Sequence, residues 1–220
     1  KAVPKLIQRA FNAVMFNHAD LVMEYKGMQK VILAIVDAYV NIILNQDISQ
    51  TPFTIISLEQ KVEAEISFPL NGKEESIKIF GYIDRVDVKD GITKIVDYKT
   101  GSDKLAFKDV DELFNTDGKH INKALIQTLL YTYAYEQSAG KTCVEPNLYI
   151  VKTMNDPIYG GVWFKSNRQV LRGDFLEEIK PLFLARLKEK LAELFGAPYF
   201  KASEIPDNYK YSIYKTLFGK

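Results

Sequence analysis

Hydrophobic residues recur at helical spacing in four segments of the chain and alternate with polar residues in most of the sequence between them. The helical spacing predicts four helices, over residues 4–17, 28–45, 121–137 and 173–195. The alternating segments are rich in β-branched residues, which predicts strands over 53–59, 61–68, 75–89 and 92–99. Residues 148–152 and 158–164 resemble a further hairpin. Helices around a mixed β-sheet are the simplest packing for this order, which predicts an α/β or α+β fold.

Two dipeptides, Asn71-Gly72 and Asp90-Gly91, have the composition of tight hairpin turns. If Asp90-Gly91 forms the tip of its hairpin, Asp84 on one strand faces Asp97 on the other. The Cβ atoms of such a pair lie about 4.5–5.5 Å apart, and two like charges at that distance destabilise a sheet unless something neutralises them. Strand alternation also places Lys99 on the face of Asp97. We therefore expect two carboxylates and a lysine side by side.

These three residues suit the metal-assisted hydrolysis of a phosphodiester. Mg²⁺ prefers one or two carboxylates, such as Asp84 and Asp97, with water and substrate phosphate as its other ligands. A metal-bound water is a nucleophile near neutral pH. Lys99 would orient that water, take its proton or stabilise the developing charge on phosphorus. The alternative, ordinary surface charges on a hairpin, stays open on spacing alone.

The composition excludes several other classes of protein. A chain of 220 residues with 47% apolar residues suits one folded domain with attachments, not a disordered protein. Its single cysteine, Cys143, excludes a disulfide scaffold and a cysteine-ligated zinc or iron–sulfur site. The 29 basic and 28 acidic residues argue against a uniformly basic nucleic-acid-binding protein, although a local groove could still be basic.

We also expect no membrane association. The longest apolar stretch, from Val31 to Leu44, is interrupted by Asp37 and Asn41, and we expect it to be too short to span a bilayer. No signal peptide opens the sequence, and a lone cysteine favours a reducing compartment, so we expect a cytoplasmic location.

Three motifs in order resemble those of a known family. They are Gly-x-x-Asp-Arg-x-Asp at residues 81–87, Asp-Tyr-Lys-Thr-Gly at 97–101 and, on a predicted helix, Gln-x-x-x-Tyr at 127–131. Taken alone, the Gln-x-x-x-Tyr motif would indicate only two residues on the same face of a helix. Together they resemble the PD-(D/E)XK nuclease superfamily, most closely the RecB/AddB-type nuclease domain, from about residue 53 to residue 217. The resemblance implies a restriction-endonuclease-like α/β core, a mixed central sheet flanked by helices.

The resemblance implies a role for each matching residue. Asp84, Asp97 and the backbone carbonyl of Tyr98 would be ligands of Mg²⁺, or of Mn²⁺, which also suits oxygen ligands. The side chain of Lys99 would act on the nucleophilic water.

Further roles follow from the resemblance on neighbouring elements. Gln127 and Tyr131 would contact the DNA backbone or brace Lys99. Glu59 occupies a position where the family often has a glutamate, although an ordinary strand-end charge is the simpler interpretation. Arg85 is expected to pair with a neighbouring carboxylate in a structural role.

The sequence departs from the RecB/AddB pattern in two places. His18 lacks the glycine of the family's Gly-x-x-x-His helix, so we expect a surface or capping role for it and a metal-binding histidine, if there is one, upstream of Lys1 in a longer protein. The tail resembles the family's iron–sulfur module, but Tyr209, Ser212 and Phe218 occupy the cysteine positions. We expect aromatic packing there and no iron–sulfur cluster; chance similarity is the alternative.

The sequence thus predicts a single nuclease domain over 1–220, with a helical part at 1–50, a nuclease core at 51–195 and a tail at 196–220. We expect a Mg²⁺-dependent DNA exonuclease that acts on single strands during recombination and repair. The sequence has no phosphate-binding loop, so helicase activity would come from a longer chain or a partner. The alternative is a nuclease-like module that has lost catalysis and binds DNA or serves a helicase complex structurally. A small-molecule enzyme has no motif in its favour.

Overall fold

The chain begins with two helices, continues with a block of strands, and ends with helices and strands in turn. The computed structural model describes residues 2–103, 106–114, 122–140, 143–154, 163–164 and 169–199, the pair 163–164 by its backbone only. The helices in these ranges are α1 (Val3–Phe16), α2 (Met28–Gln50), α3 (Val110–Phe114), α4 (Lys123–Ala139) and α5 (Gly173–Gly196). The strands are β1 (Thr54–Leu70), β2 (Lys73–Lys89), β3 (Ile92–Lys99), β4 (Ala106–Phe107), β5 (Val144–Ile150), β6 (Trp163–Phe164) and β7 (Gln169–Val170).

The main sheet has four strands in the order β1-β2-β3-β5. The first three strands are antiparallel neighbours, whereas β3 and β5 are parallel. The parallel pairing follows from α4, which lies between β3 and β5 along the chain and provides the long crossover that parallel neighbours need. The predicted hairpin of 148–152 with 158–164 is therefore wrong in its first strand, because residues 148–150 belong to β5 and pair with β3. In the described residues β6 instead pairs with β4 and β7 in a smaller sheet; residues 155–162 lie outside the described part.

Both predicted hairpin turns are present. Asn71 and Gly72 have φ angles of 52° and 78°, and Asp90 and Gly91 have φ angles of 52° and 80°. Positive φ at both central residues is the requirement of the tight turn that matches strand twist. As a result the β2–β3 register is the predicted one, with Asp87 opposite Lys94. The two strands predicted over 53–59 and 61–68 form one continuous strand, β1.

Helices cover both faces of the sheet, which confirms the α/β prediction. On one face, Val86 of β2 and Ile95 of β3 are fully buried in a cluster with Ala134 and Tyr135 of α4. On the opposite face, Val96 and Tyr149 lie against the half-buried Tyr39, Ile42 and Ile43 of α2. The site residues therefore lie on strands that are held from both sides.

Helix α2 is longer than predicted, ending at Gln50 instead of residue 45. With 23 residues and a mean hydropathy of 1.5 over its most apolar window, α2 is long and apolar enough to cross a membrane by length and composition alone. The helix therefore extends beyond the apolar stretch from Val31 to Leu44, and the absence of membrane association stays a prediction. The two polar interruptions of this stretch bond to each other, because Asn41 Nδ2 donates to the Asp37 carbonyl at 2.8 Å and to its carboxylate at 3.1 Å.

Candidate active site

Asp84 and Asp97 come together at one end of the β2–β3 ladder. The last rung of this ladder pairs Arg85 with Val96, so each aspartate is the first residue beyond that rung on its own strand. Asp84 is half-buried, and its Oδ2 accepts a hydrogen bond from the backbone N–H of Tyr98 at 2.8 Å. The register set by the Asp90-Gly91 turn thus brings both predicted carboxylates to the same place.

Asp97 is the more deeply buried of the two carboxylates, with 2% of its surface exposed. Its Oδ2 lies 2.8 Å from Nζ of Lys99, but no described residue gives this oxygen a hydrogen bond of good geometry. Burial raises the pKa of the Asp97 carboxyl, Lys99 opposes that rise, and the nearby charges of Asp84 and Asp103 add to it. A buried carboxylate oxygen with unused acceptor capacity is suited to bind a cation.

A chain of hydrogen bonds holds Lys99 from the other side. Nζ of Lys99 donates to Oε1 of Gln127 at 2.8 Å, and Nε2 of Gln127 donates to the hydroxyl of Tyr131 at 2.9 Å. Gln127 and Tyr131 are one turn apart on α4, so they lie on the same face of the helix. The structure therefore places the Gln-x-x-x-Tyr motif against Lys99, where the amide fixes the position of the ammonium group.

Gly81 of β2 lies beneath the ring of Tyr131. A Cβ atom at this position would overlap Cε1 of Tyr131 and lie 3.0 Å from its Cζ and hydroxyl oxygen. Isolated glycines inside strands often mark such close approaches. In the sequence this glycine is the first residue of a motif. Why the position needs a glycine becomes clear only from the position of α4.

The alternation of β2 changes at Asp84. Gly81, three residues earlier, faces Tyr131 of α4, whereas Arg85 faces Asp47 of α2 on the opposite side of the sheet. Ile83, two residues before Arg85, is buried in the α4-side cluster, although strict alternation would place both on one face. Asp84 thus lies at the position where the regular alternation of β2 side chains between the two faces of the sheet is broken.

Glu59 of β1 lies at the ladder position opposite Asp84. It falls between the rungs that pair Leu58 with Arg85 and Gln60 with Ile83. Its φ angle is 49°, a conformation uncommon for a residue with a side chain, and its side chain is exposed. The structure therefore brings Glu59 next to the carboxylate pair along the sheet, but within the described residues no hydrogen bond or ion pair joins Glu59 to the other site residues.

Arg85 is the centre of a buried ion-pair cluster on the α2 side of the sheet. Its Nη1 and Nη2 reach the two carboxylate oxygens of Asp47 at 2.7 and 2.9 Å, and its Nε donates to Asp87 at 3.0 Å. The guanidinium carbon lies 5.6 Å from the ring centres of both Tyr98 and Tyr149. This is the structural role expected for Arg85, and it ties α2 to the strand that carries Asp84.

Electrostatics support a charged pair in this cluster. Burial alone would lower the pKa of Arg85, but the hydrogen bond to Asp47 and the charge of Asp87 raise it above its ordinary value. Burial raises the pKa of Tyr149 to about 12, so its hydroxyl stays neutral near Asp47. Sequence reasoning missed Asp47, although an acidic residue near the end of an apolar helix was a usable signal.

Two carboxylates, rather than a larger set, define the metal-binding potential of the site. In the described residues no group of three or more His, Cys, Asp or Glu side chains could hold a metal ion. Asp84 and Asp97 nevertheless fit Mg²⁺, which commonly takes one or two carboxylates and keeps several waters. The observation that favours this fit is the buried Oδ2 of Asp97, which is ion-paired with Lys99 but accepts no hydrogen bond of good geometry from a described residue. The carbonyl of Tyr98 remains a predicted third ligand.

The remaining sequence predictions lie away from this site or outside the described residues. His18 is exposed in the turn after α1, where its backbone N–H donates to the carbonyl of Asn12 at 3.4 Å. The proposed cysteine-less module at the end of the tail, residues 209–220, lies outside the described residues. The division into parts 1–50, 51–195 and 196–220 stays a prediction.

The comparisons with known proteins agree with the geometry. The model of the PD-(D/E)XK nuclease superfamily matches residues 1–207 of the 220-residue chain. No curated protein matches the chain at a significant level. The four-stranded mixed sheet with helices on both faces is consistent with a restriction-endonuclease-like α/β fold. Superfamily members are nucleases that generally use divalent metal ions. The chain belongs to the PD-(D/E)XK nuclease superfamily.

Proposed function

We propose that this chain is a metal-dependent deoxyribonuclease that degrades single-stranded DNA from an end. The observation that supports this best is the arrangement of Asp84, Asp97 and Lys99, in which a buried carboxylate, a second carboxylate and an ammonium group meet at one end of two strands. The reaction adds water across a phosphodiester: a P–O bond forms to the water oxygen, the P–O bond to the leaving oxygen breaks, and the leaving oxygen takes a proton.

Lys99 would act directly on the reacting phosphate. Its ammonium group has three N–H bonds, of which one is directed to Oε1 of Gln127 and another lies near the carboxylate of Asp97. About a quarter of its side chain is exposed, so the group also reaches solvent. The third N–H would hold the attacking water or stabilise the negative charge that develops on the phosphate oxygens.

Asp84 and Asp97 would hold the divalent cation, Mg²⁺ or Mn²⁺. Such an ion, when bound, lowers the pKa of water and neutralises phosphate charge. The backbone N–H of Tyr98 fixes one oxygen of Asp84, which leaves that carboxylate oriented before any ligand arrives. Tyr131 and Gln127 keep Lys99 in place at the same time.

The test is cleavage of end-labelled single-stranded and double-stranded DNA with Mg²⁺ or Mn²⁺, with EDTA beside it. Asp97→Asn should abolish cleavage. Asp90→Asn is the matched control, because it makes the same chemical change at the tip of the same hairpin and produces another favourable turn sequence. Products released one nucleotide at a time would show an exonuclease. Internal cuts in a circular single strand would contradict the exonuclease proposal.

A catalytically inactive DNA-binding module is the second candidate. It is favoured by the two-carboxylate site, since no third His, Cys, Asp or Glu joins it within the described residues. DNA binding with no cleavage in either metal, by this chain and by any longer parent protein, would support that alternative. Equal loss of binding in Asp97→Asn and Asp90→Asn would argue against a role for the site in either function.

We also propose a cytoplasmic role in recombination and repair beside a helicase domain or subunit. The support is the sequence resemblance to RecB/AddB-type nuclease domains. Copurification with a protein that hydrolyses ATP and unwinds DNA, together with nuclease activity that increases in the complex, would test it. A chain that degrades single strands equally well with and without every copurifying ATPase would contradict the helicase association.

A further inference from the structure

The backbone ladder between β2 and β3 ends just before the two carboxylates. Its last rung pairs Arg85 with Val96, whereas β3 continues beside β5 as far as its own last residue. In the described part of the chain, β2 and β3 share no rung beyond that pair. Side-chain contacts therefore join the two strands at the place where Asp84 and Asp97 have to be held at one spacing for a metal ion.

The first of these contacts involves the backbone of Tyr98. Its N–H donates a hydrogen bond to Oδ2 of Asp84 at 2.8 Å. A side-chain carboxylate thus serves as the acceptor where a continued ladder would supply a backbone carbonyl. The direction of the Asp84 side chain therefore depends on the position of the backbone at residue 98.

The second contact is the ring of Tyr98, which packs on the α2 face of the sheet. The guanidinium carbon of Arg85, on β2, lies 5.6 Å from the centre of this ring. From β5, the ring of Tyr149 meets it edge to face, with the ring centres 5.6 Å apart and 80° between the ring planes. Both distances are those of favourable cation–π and aromatic contacts. The ring of Tyr98 is thus held between side chains of the two neighbouring strands.

Helix α2 fixes the guanidinium that meets this ring. Asp47 of α2 accepts hydrogen bonds from Nη1 and Nη2 of Arg85 at 2.7 and 2.9 Å. Two parallel bonds to one carboxylate set the plane of a guanidinium as well as its position. Asp47 also accepts a hydrogen bond from the hydroxyl of Tyr149 at 3.4 Å. One residue of α2 therefore holds both of the side chains that enclose the Tyr98 ring.

From these contacts we propose that Tyr98 is a positioning residue for the metal site. Its ring, held between Arg85 and Tyr149, fixes the backbone N–H that orients Asp84. The inference rests on the proposed nuclease function, because it concerns the metal ion that the two carboxylates would hold. It adds a contribution of α2, which acts on the site from the opposite face of the sheet. The alternative is that the Tyr98 ring contributes only to packing under α2.

The test measures binding of Mn²⁺ to the intact chain without DNA, from the loss of the electron paramagnetic resonance signal of the free ion. Tyr98→Leu removes the ring and keeps the backbone. It should weaken Mn²⁺ binding by about 10-fold or more, the effect typical of losing a group that orients a metal ligand. Tyr98→Phe keeps the ring and should restore most of the affinity. All measurements are made below the Tm of the least stable variant.

The chain provides a matched control in the same cluster. Tyr39 of α2 is half-buried like Tyr98 and packs against the same group of buried residues. Tyr39→Leu makes the same chemical change in that cluster and should lower the free energy of unfolding without weakening Mn²⁺ binding.

A second variant alters the ring contact from the side of β2. Arg85→Lys keeps a positive charge beside Asp47 but replaces the planar guanidinium that lies over the ring. It should weaken Mn²⁺ binding in the wild-type background and have little further effect in Tyr98→Leu, because both changes remove the same contact. Full additivity of the two losses would overturn the proposal.

Three other outcomes would also overturn it. The first is an equal loss of Mn²⁺ affinity in Tyr39→Leu and Tyr98→Leu, which would indicate a general effect of packing under α2. The second is an affinity of Tyr98→Leu equal to that of wild type. The third is a loss in Tyr98→Phe as large as in Tyr98→Leu, since the hydroxyl and not the ring would then be responsible.

The two proposals can fail separately. Mn²⁺ binding that requires Asp97, together with DNA cleavage and metal affinity that Tyr98→Leu leaves unchanged, would keep the nuclease function and remove the positioning role. Mn²⁺ binding that depends on both Asp97 and the Tyr98 ring, without cleavage of DNA in any metal, would support the positioning role and contradict hydrolysis.

Discussion

Gly81 and Tyr131 are in contact across the β2–α4 interface, with the tyrosine ring occupying the space where a Cβ atom of residue 81 would lie. The same tyrosine accepts the hydrogen bond of Gln127, which in turn holds Lys99. The glycine of the first motif and the tyrosine of the last are thus one structural unit. The absence of a side chain at Gly81 permits the hydrogen-bond chain that ends at Lys99.

Gly81→Ala should therefore reduce activity more than the addition of a single methyl group suggests. The added methyl group displaces Tyr131, at a cost of about 1–3 kcal/mol in the free energy of unfolding, typical of overpacking. Displacement breaks the bond to Gln127 and frees Lys99, so kcat should fall by about 10-fold, the weight of one hydrogen bond to a charged group. Urea unfolding and single-turnover cleavage measure the two effects.

A double variant separates packing from positioning. Adding Tyr131→Leu to Gly81→Ala should restore much of the stability by removing the clash, while kcat stays low because the hydroxyl is gone. Recovery of both stability and kcat in the double variant would show that Tyr131 contributes only packing.

Gln127 should contribute to catalysis through the position of Lys99. Gln127→Leu removes the acceptor for Nζ of Lys99, and we expect kcat to fall about tenfold. Gln127→Glu keeps an acceptor for the ammonium group but loses the N–H that bonds Tyr131, so its loss should be smaller. A fall in substrate affinity with unchanged kcat in both variants would instead indicate that Gln127 contacts DNA.

The sequence was sufficient to predict the features that depend on neighbouring residues. A two-residue turn fixes the register of the strands on either side, so Asp90-Gly91 is sufficient to predict the pairs from Lys89–Ile92 to Arg85–Val96 and hence that Asp84 and Asp97 lie at the same end of the ladder. Features that join distant segments were not predictable. The parallel pairing of β3 with β5 depends on the path of α4, and the partnership of Asp47 with Arg85 depends on where α2 docks.

The need for a glycine at position 81 is another feature that could not be predicted from neighbouring residues alone. Its motif was visible in the sequence, but the need for a glycine depends on the ring of Tyr131, which another element supplies. Helix α2 ended later than predicted because its last turn contains Asp47, and a salt bridge to the sheet is a tertiary contact that helical periodicity does not report.

Removing Arg85 should destabilise the protein strongly. Arg85→Met leaves the carboxylates of Asp47 and Asp87 in a mostly buried place without their counter-charge, and breaking such a pair costs about 3–5 kcal/mol. Urea unfolding measures this loss. Lys190→Met, which removes a largely exposed ion pair with Glu193, is the control and should change stability little.

The double variant Arg85→Met with Asp47→Asn should recover part of the loss, because one of the two unpaired charges is gone. A loss in Arg85→Met no larger than in Lys190→Met would contradict the inference that the cluster joins α2 to the sheet.

The buried carboxyl of Asp97 should make stability depend on pH in a defined direction. Burial raises its pKa above the ordinary value of 3.8 in the folded protein. Because the folded pKa is the higher one, the charged form lowers stability at neutral pH, and this loss disappears as the pH falls through the folded pKa towards the unfolded one. Asp97→Asn imitates the protonated form. Without metal, it should be more stable than wild type at neutral pH, and the difference should shrink on acidification.

Mg²⁺ should reverse that order of stabilities. An ion that binds only the folded protein stabilises it by mass action, so added Mg²⁺ should raise the Tm of wild type and of Asp90→Asn but not that of Asp97→Asn. The bound form needs the ionised carboxylate, so the Mg²⁺-dependent rise in Tm should vanish on acidification at a higher pH than an ordinary aspartate would give. Thermal unfolding at a series of pH values, with Mg²⁺ or with EDTA, measures both effects. An equal Tm rise in wild type and Asp97→Asn would show that Mg²⁺ binds elsewhere on the chain, and Asp97 would then have no part in holding the metal.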